Sequence, residues 1–481
     1  MPMSHRDQGH ELTQFGAEMK KNIIVLVTDT FRFDNLFDYA ERPVRTPCLD
    51  RFCESSATNV TNFYTASFPT IPNRTDLATG IFGWPHYGWQ PIDQSNPNHI
   101  GKTLHRQGYK TQLICDCPHL FNSRFQFGFD AAYQHRGQEG DKHLLHLNHP
   151  IRKEMPFDKT RQMPIWNDSS LADAHRWINR YFEVEEETFM YKTAATTARW
   201  LEENYQWEPF FLWVDFFDPH EPWDPPEYMV KNYDPDYDGA PMIHCNYGPA
   251  TDYSPAELHN LWAHYAAESE LVDKQLGVVL QKIQELQLLE NSIVIITSDH
   301  GTSIGEHNRT GKSNISDNDD RFWPIYPEVG HVPFIIAGPG IPQGKTTDFL
   351  AQPPDILPSL SELAGFELDV RQPVNGESFV PALQNGNGHR DLVVSAGYVS
   401  PRRDGRCPPN AVTPFVVDGQ WGYTAVGAGG KPELYDYAND PNAANDVISE
   451  NPFAAQDMQQ KFEAFMHSIG ANDALIQCWS P

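Results

Sequence analysis

The chain has 481 residues, of which 40% are hydrophobic and 12% aromatic, enough to bury a large core and to exclude disorder as the default state. Its formal net charge of −28, from 36 basic and 64 acidic residues, repels nucleic acid and anionic membrane surfaces, so neither is an expected partner. A small anionic ligand would need local cations or a metal ion to hold it.

The start of the chain and its cysteines indicate a compartment. Residues 1–20 form a polar, charged segment, and no run of about 18 apolar residues occurs, so the sequence predicts no signal peptide, no membrane span and a cytoplasmic location. Seven cysteines at irregular spacings predict free thiols in a reducing environment. We interpret the pair Cys115 and Cys117 as ordinary packing, with a soft-metal site as the alternative.

Three apolar runs end in residues that can bind metal. The first, from Asn22 to Asp29, is the continuous β-branched pattern of a strand buried on both faces. The pattern returns from Pro209 to Asp215 and from Ser292 to Gly301, where Asp299 and His300 precede the final glycine. Open α/β sheets build sites at the carboxyl ends of such strands, so these acids and this histidine are candidates for one.

Between the strands, helical periodicity from Glu257 to Leu289 favours a mostly parallel sheet flanked by helices. We predict an α/β catalytic domain over 21–380. Its segment 134–168 is polar and aperiodic, which is typical of an inserted loop or cap. The segment contains three histidines that we interpret as part of a solvated loop, with metal binding as the alternative: His143, His146 and His149.

Residues 381–481 are predicted to form a smaller α+β subdomain. A strand at 332–337 and a helix at 354–364 precede it, and its first part is a loop at 385–389. Within it, short strands are predicted at 392–396 and 413–418, and a helix at 454–469.

One segment places a hydroxyl group at the start of a helix. Thr70-Ile71-Pro72-Asn73-Arg74 leads into a short helix that Thr79-Gly80 closes. A nucleophile there gains from free backbone N–H groups and the positive end of the helix dipole, which favour an anionic substrate. Arg74 would add a fixed cation. The alternative is that Thr70 is an ordinary helix cap.

This segment resembles the signature of the sulfatase family, in which Cys or Ser, then x-Pro-x-Arg and later Thr-Gly, marks the residue converted to formylglycine. Other segments are similar to sulfatase motifs in order and interval: Asp29-Thr30-Phe31-Arg32, Thr46-Pro47-Cys48-Leu49-Asp50-Arg51, Asp218-Pro219-His220-Glu221-Pro222, Ser298-Asp299-His300-Gly301, Gly305-Glu306-His307, Lys312, Leu434-Tyr435-Asp436 and Asp440-Pro441. The resemblance implies the α/β fold shared by sulfatases and alkaline phosphatase.

The resemblance also implies roles for individual residues. Asp29, Asp299 and His300, with the Thr70 oxygen, would bind a divalent ion, and such ligands suit Mn, Zn, Mg or Ca. His220 and Lys312 would contact the transferring group and protonate or stabilise the leaving oxygen. His119 matches a family histidine near the nucleophile. Further candidates at or beside these motifs are Thr30, Asn73, Asp218, His307 and His331.

Three departures from the pattern bear on the chemistry. The second of two adjacent acids after the first strand is replaced by Thr30, and the lysine usually two residues before His119 is Cys117. Thr70 cannot become formylglycine by the known oxidation of Cys or Ser.

Thr-x-Pro-Asn is also similar to the nucleophile segment of the nucleotide pyrophosphatase and phosphodiesterase branch, in which an Asp and a His four apart help to bind a second metal.

Asp218 and His220 are only two residues apart, so one ion is predicted and a second is the alternative. Without formylglycine, a covalent Thr70 ester must be cleared by water attacking phosphorus or sulfur, which favours phosphate esters. We therefore predict a metal-dependent hydrolase of phosphomonoesters, phosphodiesters or phosphonate esters, acting on a small anionic substrate, with a homo-oligomer as an option. The alternatives are a sulfatase without formylglycine, a non-catalytic anion-binding relative, and a transferase to an alcohol.

Overall fold

The structure is a computed structural model, and it describes residues 20–138, 141, 156–160, 164–166, 169–170, 179, 182–313, 321–386, 388–408, 411–427 and 430–480. The three histidines predicted in the insertion, His143, His146 and His149, lie outside these residues. The polar segment up to residue 19 and much of 134–168 lie outside them as well. The helices and strands below belong to the described part of the chain.

The strands, in chain order, are β1 (Asn22–Thr28), β2 (Ala57–Phe63), β3 (Ser67–Phe68), β4 (Lys110–Cys115), β5 (Ala131–Gln134), β6 (Pro164–Trp166), β7 (Ser169–Ser170), β8 (Phe210–Phe216), β9 (Ser292–Ser298), β10 (Ser303–Ile304), β11 (Thr310–Gly311), β12 (Trp323–Pro324), β13 (Phe334–Ala337), β14 (Lys345–Ala351), β15 (Val393–Gly397), β16 (Val412–Thr413), β17 (Phe415–Val417), β18 (Gly422–Thr424) and β19 (Glu433–Tyr435).

The helices, in chain order, are α1 (Pro47–Ser56), α2 (Thr70–Thr79), α3 (Ile100–Arg106), α4 (Pro118–Asn122), α5 (Phe189–Asn204), α6 (Glu227–Val230), α7 (Pro255–Glu285), α8 (Pro327–Gly330), α9 (Ile356–Ala364), α10 (Val380–Asn385), α11 (Pro452–Ser468) and α12 (Asp473–Cys478).

An eight-stranded sheet in the order β14-β2-β13-β9-β1-β8-β4-β5 forms the centre of the fold. Its strands are parallel apart from β13, which runs antiparallel to both of its neighbours. The predicted mostly parallel α/β sheet is thereby confirmed. Because β1 lies between β8 and β9, the ends of the three apolar runs noted in the sequence lie side by side.

Side chains that alternate along β1 enter two separate cores. Ile23, Val25 and Val27 pack with residues of α2, α3, α9 and α10 on one face, and Ile24 and Leu26 pack with residues of α1, α5 and α7 on the other. A strand covered by helices on both faces needs apolar residues at every position, which explains the uninterrupted hydrophobic run.

The long helix α7 corresponds to the periodicity from Glu257 to Leu289 and ends four residues earlier, at Glu285. Its start is a capping box: the Ser254 hydroxyl accepts from the Glu257 N–H at 3.3 Å, and the Ser254 N–H donates to the Glu257 carboxylate at 2.7 Å. These two bonds satisfy N–H groups that a helix terminus leaves unpaired.

A second sheet of five strands, in the order β19-β18-β17-β15-β3, carries the C-terminal part of the fold. It packs against α11 through Met458, Phe462 and Met466. Strands β15 and β17 and helix α11 correspond to the predicted elements. Strand β3, however, comes from residues just before α2 and pairs in parallel with β15, so the second sheet adjoins the start of α2. The domain boundary at residue 380 stays a prediction.

The cysteine prediction is wrong for two of the seven thiols. Cys407 and Cys478 form a disulfide across 71 residues of sequence, because α12 returns the chain end to the loop before β16. Cys48, Cys53, Cys115, Cys117 and Cys245 take part in no disulfide, and the last four are buried. Among the helices of the described residues, none combines the length and apolar character needed to cross a membrane.

Candidate active site and metal centre

The pairing of β1 with β9 brings two acids together. Thr28 lies opposite Ser298 in the parallel register, so Asp29 and Asp299, which follow these residues, emerge at the same edge of the sheet. His300 comes next along the chain. Candidate ligand atoms of Asp29, Asp299 and His300 all lie within 4.8 Å of one another, and all three side chains are buried. The metal-ligating trio predicted from the sequence is therefore brought together.

Helix α2 presents Thr70 to this trio. The Thr70 hydroxyl donates a hydrogen bond to Asp29 Oδ2 at 3.2 Å, and Thr70 is only 3% exposed. The backbone reaches this position through β3, and α2 ends at Gly80, whose φ of +70° suits a residue without a side chain. Asp76 holds the segments before and after α2, because its carboxylate accepts hydrogen bonds from the N–H groups of Ser67 and Gly83, each at 2.9 Å.

Arg74 is a buried cation among three carboxylates. It donates to both oxygens of Asp215, at 3.1 and 2.9 Å, and it also donates to Asp299. Its guanidinium lies 3.6 Å from Asp29 Oδ2. Burial opposes the charge of Arg74, but the three carboxylates outweigh burial and hold the guanidinium pKa well above its usual value. The apolar run that ends at Asp215 made this acid a candidate for a site, but no motif assigned it a role, and its contact with Arg74 is found only in the structure.

The residues present fit a divalent cation. Three carboxylates against one guanidinium leave two formal negative charges in a buried space, an arrangement that a divalent ion would neutralise. His300 Nδ1 lies 3.0 Å from the Gly301 carbonyl, so it is the protonated nitrogen. His300 Nε2 is buried without a hydrogen-bond partner in the described structure, 3.4 Å from Asp299 Oδ2. Burial lowers the pKa of His300 to about 3, which leaves Nε2 as a neutral donor for a metal.

Thr30 orients the two acids. Its hydroxyl donates to Asp29 Oδ1 at 2.8 Å and its N–H donates to Asp299 Oδ1 at 3.0 Å. The backbone can do both because Thr30 has a φ of +67°, a conformation uncommon for a residue other than glycine. The position where sulfatases often have a second acid thus supports the ligands through hydrogen bonds.

Asn73 supports the same group from α2. Its amide nitrogen donates to the Thr65 hydroxyl at 3.0 Å and to the Asp299 carbonyl at 3.1 Å. Its Oδ1 atom is buried and has no hydrogen-bond partner among the described residues.

Lys312 and His220 border the trio from loops outside the sheet. The Lys312 ammonium donates to the Thr30 hydroxyl at 3.1 Å and to Glu221 Oε2 at 3.3 Å. His220 Nδ1 lies 2.6 Å from the Glu221 carbonyl, and its ring stacks on Phe217. Burial is the main cause that lowers the His220 pKa to about 3, so this imidazole is neutral at pH 7. Lys312 therefore contacts Thr30, which supports the trio, and His220 is connected to Lys312 through Glu221.

His119 joins this side of the site through aromatic packing. Its ring lies between Trp89 and Phe217, with centroids 4.9 and 5.8 Å away. Phe217 in turn stacks on His220 at 4.2 Å. Trp89 is 49% exposed and connects this row of rings to the surface, whereas Phe82 and Trp84, a few residues earlier in the chain, are buried in the C-terminal core.

Three other candidates do not join the cluster. Asp218 accepts from Gln138 at 3.0 Å, and burial raises its pKa to about 7. Both nitrogens of His307 lie within hydrogen-bond distance of other groups, Glu328 and the Ala443 carbonyl. His331 Nε2 lies 2.6 Å from the Thr61 carbonyl. In the described chain, the trio is the only group of three or more acids, histidines or cysteines close enough to hold an ion, so no second ligand set supports the alternative of two metals.

Comparisons with known proteins bear on the family and the fold. The family model described as Sulfatase matches residues 21–366. Arylsulfatase K of Rattus norvegicus is 24% identical over 479 residues, which cover 93% of this chain and 78% of the relative. An arylsulfatase of Clostridium perfringens is 25% identical, covering 77% and 79% of the two chains.

Among solved structures, the phosphonate monoester hydrolase of Agrobacterium radiobacter superposes with a TM-score of 0.71 at 22% identity. The match covers 94% of this chain and 96% of that one. At this level of identity the likeness shows a shared fold.

Proposed function

The chain belongs to the sulfatase family, and we propose that within this family of metal-dependent ester hydrolases it cleaves phosphate esters through a covalent Thr70 intermediate. The observation that carries the proposal is the Thr70 hydroxyl, hydrogen-bonded to Asp29 where the family has its formylglycine. A threonine ester has no aldehyde hydrate through which to expel its group, so water must attack the central atom. That step is well precedented at phosphorus.

The ligand set would consist of Asp29, Asp299 and His300, together with the Thr70 oxygen. Two carboxylates, an imidazole and a hydroxyl suit Mn, Zn, Mg or Ca. When bound, the ion would acidify the Thr70 hydroxyl and neutralise charge on the ester oxygens.

In the first step, Thr70 Oγ1 would attack phosphorus, the bond from phosphorus to the leaving oxygen would break, and the Thr70 proton would pass to Asp29, its hydrogen-bond acceptor. The Lys312 ammonium would donate a proton to the leaving oxygen. Neutral His220, with Nδ1 on the Glu221 carbonyl, would accept the proton of the attacking water in the second step. The bond from phosphorus to Thr70 Oγ1 would then break, Asp29 would return its proton to Thr70, and the proton taken up by His220 would restore Lys312 by way of solvent. Arg74 would keep the carboxylates of Asp29 and Asp299 in place.

A sulfatase that works without formylglycine is the second candidate, because the curated relatives described above are named arylsulfatases. Such an enzyme could not expel sulfate through an aldehyde hydrate. A threonine sulfate would instead have to be cleared by water attacking sulfur, which is the difficulty with this candidate.

The test is hydrolysis of matched p-nitrophenyl sulfate, phosphate, phosphodiester and phenylphosphonate with added Mn, Zn, Mg or Ca, in the native chain and in Thr70→Ala. Metal-dependent phosphoester cleavage that disappears on substitution supports the proposal. Preferential sulfate cleavage favours the sulfatase. Inactivity on every substrate, with no metal bound, favours a non-catalytic anion-binding protein, and products formed on added glycerol would identify a transferase.

The substrate we propose is a small anionic ester, because the net charge of −28 opposes nucleic acid and anionic membranes. The cytoplasmic location and the homo-oligomer stay predictions. The Cys407–Cys478 disulfide is a bond more typical of oxidising compartments.

A further inference from the structure

Glu221 is a fully buried carboxylate beside Lys312 and His220, the two catalytic candidates that lie on loops. Its Oε2 atom lies 3.3 Å from Lys312 Nζ and 3.5 Å from His220 Nδ1. Its backbone carbonyl lies 2.6 Å from the same His220 nitrogen, and its Oε1 atom accepts from the Tyr247 hydroxyl. One residue therefore contacts the lysine through its side chain and the histidine through its side chain and backbone.

We infer that Glu221 is a positioning residue, which aims Lys312 at the reacting group and balances its charge until the anionic ester binds. The inference rests on the proposed function and extends it to a position where the family motif Asp-Pro-His-x-Pro leaves the residue open. Glu221 does not touch the metal trio in the described contacts, so its action passes through Lys312.

A chain of hydrogen bonds links Glu221 to the nucleophile. Lys312 lies between Glu221 Oε2 and the Thr30 hydroxyl, at 3.3 and 3.1 Å. Thr30 donates to Asp29 Oδ1 at 2.8 Å, and Asp29 Oδ2 accepts from Thr70 at 3.2 Å. An ammonium on a flexible four-carbon stem is poorly oriented by one contact. The second contact, from Glu221, defines where Lys312 stands relative to Thr70.

The charges around Glu221 explain why an acid is tolerated there. Burial opposes its ionisation, but the Lys312 ammonium 3.3 Å away and the hydrogen bond from Tyr247 outweigh burial and hold the Glu221 pKa below its usual value. A buried carboxylate is costly unless it is paired and hydrogen-bonded, and Lys312 and Tyr247 supply both needs. The same negative charge competes with an incoming anion for Lys312.

The test compares Glu221→Gln with the native chain by two measurements in the presence of Mn²⁺: kcat and KM for an alkyl phosphate ester, whose poor leaving group needs protonation, and the Kd of inorganic phosphate by calorimetry. Glutamine keeps an oxygen for Tyr247 but removes the charge. We expect phosphate to bind about fivefold more tightly, because one nearby negative charge is gone. We expect kcat to fall roughly 10- to 100-fold, because Lys312 is no longer held in position to protonate the leaving oxygen.

Two further variants separate positioning from folding. Tyr247→Phe loses the hydrogen bond to the other carboxylate oxygen but keeps the charge, so its phosphate Kd should equal the native value. Glu221→Asp restores the charge at a shorter reach and should recover part of kcat. A merely structural Glu221 would make phosphate binding and kcat fall together with the melting temperature, which would overturn the inference.

Failure of the inference and failure of the proposed function give different results. If the native chain turns over phosphate esters while Glu221→Gln matches it in kcat and phosphate Kd, only the positioning role is lost. If the native chain neither turns over phosphate esters nor binds phosphate, the proposed function is overturned and the inference with it.

Discussion

The Thr70 hydroxyl donates to Asp29 Oδ2 at 3.2 Å, so the residue at the predicted nucleophile position is hydrogen-bonded to the acid that directly follows β1. Thr70 and Asp29 are 41 residues apart in sequence, and their contact is made only by the fold. A threonine held in this way can act directly as a hydroxyl nucleophile.

Replacing Thr70 by valine should abolish turnover while leaving the fold intact, because valine has the shape of threonine without the hydroxyl. We expect kcat/KM for the preferred ester to fall at least about 10³-fold. Thr70→Ser keeps the hydroxyl and should retain measurable turnover. Steady-state kinetics of the two variants check this, and a valine variant as active as the serine variant would exclude Thr70 as the nucleophile.

Removing His300 should remove metal binding. A divalent ion that binds only the folded state stabilises the native chain by about 2.7 kcal/mol at a concentration 100 times its Kd. In His300→Ala, thermal melts with and without Mn²⁺ should coincide, because the unpartnered Nε2 atom beside Asp299 is lost.

The matched control is His307→Ala, since His307 contacts Glu328 and Ala443 outside the cluster. This variant should melt at a lower temperature and still respond to Mn²⁺. A metal response that survives in His300→Ala would place the ion elsewhere.

Replacing Lys312 by methionine should affect poor leaving groups most. A methionine keeps the apolar stem but cannot donate a proton, so we expect kcat/KM to fall about 10²-fold for an alkyl phosphate ester. The loss should be much smaller for a p-nitrophenyl ester, whose leaving oxygen needs little protonation. Rates for a series of leaving groups test this, and an equal loss across the series would assign Lys312 to binding instead.

The His307–Glu328 pair should make stability depend on pH. Burial, the largest effect, opposes protonation of His307, but the 2.9 Å contact with Glu328 and the Ala443 carbonyl outweigh it and raise the His307 pKa. A raised folded-state pKa contributes stability that is fully present below the unfolded value of about 6.5 and is lost as pH rises through the folded pKa.

Denaturant melts of the native chain and His307→Gln should therefore differ most in free energy of unfolding at about pH 6. The difference should shrink as pH rises past neutrality. A difference that stays constant or grows with pH would show that His307 is neutral in the folded protein.

The sequence by itself determined the central sheet and the candidate metal ligands at its edge. Uninterrupted apolar runs ending in Asp29 and in Asp299-His300 are local patterns, and burial on two faces of a parallel sheet produces them directly. The fold class and the sulfatase resemblance rest on such patterns, with Thr70 placed by the spacing of its motif.

Only the tertiary structure decided which polar groups pair across the chain. The contact of Arg74 with Asp215 spans 141 residues and that of Lys312 with Glu221 spans 91. His307 and His331 have the residue type of ligands, yet both are used in packing away from the trio. Hydrogen bonds act over about 3 Å, so these roles depend on side-chain geometry that no local periodicity records.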